Sequence, residues 1–226
     1  GLLLPISDNL GEYLKVIYKI SPKKIRVSRL GVSIPSKLKE HIKEKNSIKI
    51  VSCSNMIKLK RIDFIIKALE LLDGEHIEWV HFGDGPLMKD LLMHVETLKL
   101  KTIKIYFKGR KSNNAILKYY QSNSIDAFIN VSKHEGVPVS IMEGMSYGIP
   151  CIATDVGATA ELVNNSNGVL LKSNLKVEDL ARAIMQVMEV NWEGKRERAY
   201  LQCERLFNDK KNYEKLGTEL MKKGMK

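Results

Sequence analysis

Two glutamates, Glu135 and Glu143, bracket a segment in which Gly136 is followed by Pro138, Val139 and Ser140. The first follows an apolar strand-like run and belongs to a loop. The second lies inside the helix that begins after that loop. Gly136 leaves the backbone accessible and Pro138 fixes the first helical turn, so the amides around Val139 and Ser140 are available to an anion. Glu143 shares its helix with Val139, Ile141, Met142 and Met145, and a carboxylate in such company needs donors. The vicinal hydroxyls of a ribose are good ones. A carboxylate for sugar hydroxyls, amides for phosphate and a carboxylate for ribose together suit a nucleotide sugar. By spacing alone, a solvated loop carboxylate and an ordinary surface position on a helix also fit.

A second segment, Gly83-Asp84-Gly85-Pro86, turns from a strand directly into a helix. Its glycines allow the backbone to approach a phosphate or a sugar, although an ordinary tight turn reads the same way. As a dinucleotide-binding fingerprint the segment fails. Met88 stands where the third glycine belongs, and the next strand ends on Tyr106-Phe107-Lys108 with no acidic residue for a ribose.

These segments depend on a repeated framework. From about residue 46, short β-branched runs alternate with helical periodicity, which predicts an α/β, Rossmann-like parallel sheet flanked by helices. Strands are expected at 48–53, 77–82, 103–107, 125–131, 150–154 and 168–171. Helices are expected at 62–72, from Pro86 to about Leu98, at 115–121 with Asn113 as cap, from Pro138 to Tyr147, at 177–190, and twice between Trp192 and Lys226. In such a sheet, ligands bind beyond the carboxyl ends of the strands, where both glycine-containing loops fall. Residues 1–32 do not join the rhythm. A helix over 11–18 with Ser7 as cap and a strand over 25–30 look like the end of a truncated upstream acceptor domain and its linker. The donor domain would then span 33–190, with terminal helices over 191–226.

Of 226 residues, 44% are hydrophobic and 28% charged, an ordinary composition for a globular chain with a real core. The first apolar stretch, Leu2-Leu3-Leu4-Pro5-Ile6, is too short to span a membrane and lacks the basic flank of a signal peptide. Cys53, Cys151 and Cys203 are widely spaced, which indicates neither a disulfide framework nor a zinc site and fits a reducing cytoplasm. The net charge of +11 suits an anionic membrane face or a phosphorylated ligand. The lysines are scattered and not interleaved with aromatics, which argues against nucleic acid.

The ordered motifs carry a resemblance. Glu135 to Glu143 resembles the E-x7-E motif of the family-four retaining glycosyltransferases, which have two facing Rossmann-like domains (GT-B fold). Residues 57–69 resemble that family's lysine-centred strand-to-helix segment, Gly83 to Pro86 its glycine turn, and Phe107 to Arg110 its base-side loop. Gly148-Ile149-Pro150 through Asp155-Val156-Gly157 resembles the strand after the motif. The resemblance implies the C-terminal, nucleotide-sugar-binding domain of a hexosyltransferase-type enzyme in polysaccharide biosynthesis, with no cofactor or metal. The absence of an Asp-x-Asp motif from the sequence agrees with the last point.

Residue by residue, Lys60 matches the lysine that neutralises the donor diphosphate, and Glu135 the carboxylate that holds donor-sugar hydroxyls; these two are the expected catalytic pair. The amides of Gly136, Val137, Val139 and Ser140 match the sugar and phosphate cradle, and Glu143 matches the ribose clamp. Gly83, Gly85, Gly109 and Arg110 would line the nucleotide. Asn55 stands where the family commonly has an arginine, so one phosphate cation is missing unless Arg61, at a usual glycine position, compensates. Gly144 replaces an alanine, Ala158 a glycine and Val137 a bulky aromatic. The expected partners are a nucleotide-diphosphate sugar, UDP-linked by preference, and a glycan or lipid-linked acceptor, with peripheral contact to an anionic membrane. A non-catalytic nucleotide-sugar-binding module and a GT-B sugar-nucleotide epimerase are the alternatives.

Overall fold

The computed structural model describes residues 1–42, 44 and 46–224. Six strands, β1 (Ser47–Cys53), β2 (His76–Phe82), β3 (Ile103–Phe107), β4 (Ala127–Asn130), β5 (Cys151–Thr154) and β6 (Gly168–Leu171), form one sheet in the order β3-β2-β1-β4-β5-β6. Every neighbouring pair is parallel. The central strands β4 and β5 are buried at every position, as expected for a sheet covered on both sides, whereas β1, β2 and β3 interleave Lys49, Glu78 and Lys104 with apolar residues. Ile48 and Ile50, Ile77 and Trp79, Ala127 and Ile129 face one core, whereas Val51, Val80, Phe82 and Phe128 face the other.

The first core is closed by α2 (Ile62–Glu70), α3 (Met88–Thr97) and α7 (Val177–Met185). The second is closed by α4 (Asn113–Ser122), α5 (Val139–Ser146), the short α6 (Thr159–Leu162) and α8 (Gly194–Leu206). Helix α2 follows the apolar stripe of its sequence, burying Ile62, Ile65, Ile66 and Leu69. Helix α5 packs on α8 and lies so close to β4 that a Cβ on Gly144 would stand 3.2 Å from the Phe128 ring. The glycine is therefore fitted to Phe128, which offsets its usual cost inside a helix.

Several boundaries differ from expectation. Pro86 lies in the turn before α3, whose first residue is Met88. Helix α7 stops at Met185 and continues as short 3-10 turns at Gln186–Met188 and Val190–Trp192. Ser112, not Asn113, caps α4 by accepting from the Ala115 amide. No strand forms over 25–30: Ile25 makes an isolated parallel bridge to Leu3, and the Arg26 and Ser28 amides donate to the Leu3 and Pro5 carbonyls, a pairing too short to make a strand. The helix capped by Ser7 is present as α1 (Asp8–Val16), whose outer end leaves Val16, Ile17 and Tyr18 exposed. The two C-terminal helices are α8 and α9 (Asp209–Gly224), and the expected end of the second at Lys226 lies outside the described residues. Gly31 and Val32 run against the start of α9, where Val32 bridges Asn208.

Candidate functional site at the switch point of the sheet

Strand order reverses between β1 and β4, so the loops after these two strands diverge and leave a crevice at their carboxyl ends. The loop after β1 carries Lys60 in a 3-10 turn, Lys58–Lys60. The loop after β4 carries Glu135. A backbone hydrogen bond from the Lys133 amide to the Leu59 carbonyl, 2.8 Å, joins the two loops.

Across that junction Lys60 Nζ donates to Glu135 Oε1 at 2.6 Å, both side chains being mostly withdrawn from solvent. Asn130 Nδ2 donates to the same oxygen at 3.1 Å. The orientation of the Asn130 amide is itself fixed, because its Oδ1 accepts from the Ser132 amide at 3.1 Å and the Ser132 hydroxyl at 2.8 Å. Burial pushes the Glu135 carboxyl up, but hydrogen bonds from Lys60 and Asn130 with the lysine charge outweigh it. The net direction is below the ordinary carboxylate value.

Gly157 secures the loop from the other side. It has φ +58°, and a Cβ there would lie 2.0 Å from the Glu135 carbonyl oxygen. The next amide, Ala158, donates to the Gly136 carbonyl at 2.9 Å.

Helix α5 then opens at the crevice with Pro138 as N-cap and no side chain closing its first turn, so the leading amides at Val139 and Ser140 remain available. Glu143 follows one turn on. Its Oε1 accepts from Asn113 Nδ2 at 2.6 Å. Asn113 thus serves Glu143 and not the α4 cap. Burial raises the Glu143 carboxyl, and the Asn113 hydrogen bond offsets this only in part. Burial pushes the Cys53 thiol up to about 11, and the Glu143 charge adds to the rise.

The remaining positions fall out differently. Gly83 and Gly85, at φ +141° and +154°, are required by backbone packing, since a Cβ would meet the Ser54 carbonyl oxygen at 1.9 Å and the Met56 carbonyl oxygen at 2.7 Å. Gly109, at φ +63°, has open space where a Cβ would be, and its carbonyl accepts from the Gly83 amide at 3.0 Å. Arg110 and Asn55 are exposed, as are Gly136 and Val139, with Val137 and Ser140 half-buried.

Arg61 is not a spare phosphate cation. It occupies the left-handed region at φ +50°, is buried, and donates through its guanidinium to the carbonyls of Val131, Ser132 and Ser173. The residue braces the ends of both crevice loops, and burial lowers its pKa. Compensation for Asn55 would require breaking those bonds.

Sequence reasoning missed three supporting residues. Asn130, a polar residue ending an apolar strand, was the only visible signal of the Glu135 holder. Asn113 read as a helix cap and Gly157 as the end of the strand segment after the motif, and neither reading pointed to its partner in the crevice, which is distant in sequence. Beneath the crevice, a buried chain runs from Trp79 Nε1 to Ser52 Oγ at 2.9 Å and on to His81 Nδ1 at 2.8 Å. His81 Nε2 lies 3.1 Å from the Ser54 carbonyl oxygen, which assigns the proton to Nε2 in a neutral ring. Burial depresses His81 to about 4, against a smaller upward pull from the Ser54 carbonyl. Its contribution to stability is therefore present above the ordinary histidine range and lost as pH falls toward that value.

Known proteins share this fold. Residues 33–202 match the family described as "Glycosyl transferases group 1". The chain is 28% identical over 192 residues to the UDP-Gal:alpha-D-GlcNAc-diphosphoundecaprenol alpha-1,3-galactosyltransferase of Escherichia coli, covering 78% of this chain and 48% of that protein. It is 24% identical over 196 residues to the amylovoran biosynthesis glycosyltransferase AmsK of Erwinia amylovora, covering 83% and 47%. The chain thus spans about half the length of the curated relatives it matches. Among solved structures, Anabaena Alr3699/HepE in complex with UDP superposes with a TM-score of 0.80 at 18% identity, covering 98% of this chain and 64% of that one. A six-stranded parallel sheet flanked by helices, matching the Rossmann-like domain of GT-B enzymes, and a family match over most of its length together place this chain among the group 1, family-four-type glycosyltransferases.

Proposed function

We propose that this chain is the donor-binding part of a retaining hexosyltransferase, with a nucleotide-diphosphate sugar seated in the crevice between β1 and β4. The observation that carries the reading is the grouping of Lys60, Glu135, the open first turn of α5 and Glu143 at the one place where strand order reverses. Lys60 and the α5 amides would face the diphosphate, where negative charge grows as the sugar departs. Glu135 would accept from sugar hydroxyls and Glu143 from the ribose, while Gly109 and Arg110 would line the base. The helix terminus and the lysine supply the positive charge, so no metal is required at the leaving group.

A UDP-linked donor is favoured because the E. coli relative is named for UDP-Gal and the Anabaena structure contains UDP. The acceptor would be a glycan or a lipid-linked sugar, and the +11 charge would draw the enzyme to the anionic inner face of a membrane. Residues 1–32 would belong with an acceptor-side domain, and the exposed apolar end of α1 is consistent with that. Titration calorimetry with UDP, GDP and ADP tests the reading: UDP binds best, and the chain alone turns over donor and acceptor negligibly. Failure of all three nucleotides to bind would refute it. An epimerase would interconvert donor sugars without an acceptor, and a binding module would bind donor in a full two-domain enzyme that transfers nothing.

A further inference from the structure

We infer that the Lys60–Glu135 pair is a latch that the donor diphosphate opens, and that Asn130 is a positioning residue that keeps Glu135 in place while it is open. The inference rests on the donor reading above. Lys60 cannot serve two anions at once at full strength. In the unliganded chain its ammonium lies 2.6 Å from Glu135 Oε1, so a diphosphate must compete with that carboxylate for the cation.

A carboxylate abandoned in a mostly buried site is costly unless other donors take over. Two sets are at hand. Asn130 Nδ2 already reaches the same oxygen at 3.1 Å, and it cannot rotate away because Ser132 holds its other end with two hydrogen bonds. Donor-sugar hydroxyls would complete the replacement. A nucleotide that brings its sugar thus compensates Glu135 for the loss of Lys60, and a bare nucleoside diphosphate does not. After transfer the sugar leaves, Glu135 recaptures Lys60, and the grip on the product nucleotide weakens. The latch favours loaded donor over spent nucleotide without any large movement of the chain.

Calorimetry with UDP and UDP-glucose on the wild type, Glu135→Gln and Asn130→Asp separates the possibilities. Glu135→Gln frees Lys60, so UDP should bind about threefold tighter or more, in the range of a partly exposed ion pair, while the preference for UDP-glucose over UDP disappears. Asn130→Asp still accepts from Ser132, which preserves the loop, but it places a negative charge against Glu135. That variant should weaken UDP-glucose more than UDP. Unchanged or weaker UDP binding by Glu135→Gln, with wild type binding normally, overturns the latch and leaves the donor site standing. Failure of the wild type to bind any nucleoside diphosphate overturns both.

A measurement on the wild type covers the case in which a variant does not fold. The carboxyl carbon resonance of Glu135 should titrate below the ordinary range alone and with saturating uridine, and higher with saturating UDP. An identical titration in all three states contradicts the latch.

Discussion

Glu135 and Glu143 are the same residue type, stand at the two ends of one helix start and are both largely buried, yet their environments push them in opposite directions. Glu135 is surrounded by donors. Lys60 and Asn130 overcome the burial that would raise it. Glu143 has Asn113 alone, and burial prevails. The difference teaches that a carboxylate's role in a crevice is set by how many donors the fold already supplies. Glu135 is satisfied and must be released to bind, whereas Glu143 is under-supplied and gains by binding. A proton shared between them in acid and base catalysis finds no support, because among the described residues no hydrogen bond joins the Lys60–Glu135–Asn130 group to the Asn113–Glu143 pair.

The largest expected effect breaks the Glu135 side through the backbone. Gly157→Ala puts a Cβ 2.0 Å from the Glu135 carbonyl oxygen at a left-handed position, and urea unfolding should show a loss of about 3 kcal/mol, near the upper end for a strained residue. Gly136→Ala, where nothing lies within 4 Å, is the control and should cost under about 1 kcal/mol.

Next comes Lys60→Met. Loss of a partly buried charge partner should weaken UDP by about 10- to 100-fold in calorimetry, and the Glu135 carboxyl should rise, since its strongest donor is gone.

Glu143→Gln is expected to weaken UDP by about tenfold, the scale of one charge-assisted hydrogen bond. The same variant should stabilise the unliganded chain at neutral pH. A carboxylate whose folded pKa is raised favours the fold below its ordinary value, and that advantage is lost as pH rises through the raised one. Glutamine removes the loss. Glu135 has the opposite sign: its depressed pKa contributes stability above the ordinary carboxylate value, and this is lost as pH falls. Thermal unfolding across pH should therefore show Glu135→Gln flattening the acid limb and Glu143→Gln lifting the neutral plateau. Parallel profiles would abolish the contrast.

The smallest effect should be that of Asn113→Ala. Removing the hydrogen bond that lowers Glu143 raises its carboxyl further, and UDP affinity should fall about two- to threefold, as for one neutral donor near the surface.

How much of this was legible follows from the range of each interaction. The strands, α2 and the order of the motifs come from local patterning: apolar residues alternate with Lys49, Glu78 and Lys104 in the first three strands, and period 3.6 is plain in α2. The placement of Lys60, Glu135 and Glu143 around one crevice follows from that pattern, because parallel connections leave every such loop at one edge. What escaped depends on contacts across the fold. Arg61 reads in sequence as a cation but is spent on three carbonyls from distant segments. Asn113 reads as a cap yet is drawn to Glu143 in the neighbouring helix, leaving the cap to Ser112. Helix α6, only four residues long, is too short to show a period. The strand expected over 25–30 had the right composition, but its pairing with residues 3–5 stops after a single bridge.

A structure of the chain with UDP bound tests the donor site most directly. The account predicts the ribose hydroxyls within hydrogen-bond distance of Glu143, the diphosphate between the first turn of α5 and Lys60, and Lys60 withdrawn from Glu135. A nucleotide bound elsewhere, with Lys60 and Glu135 still paired and Glu143 still held by Asn113 alone, would contradict it.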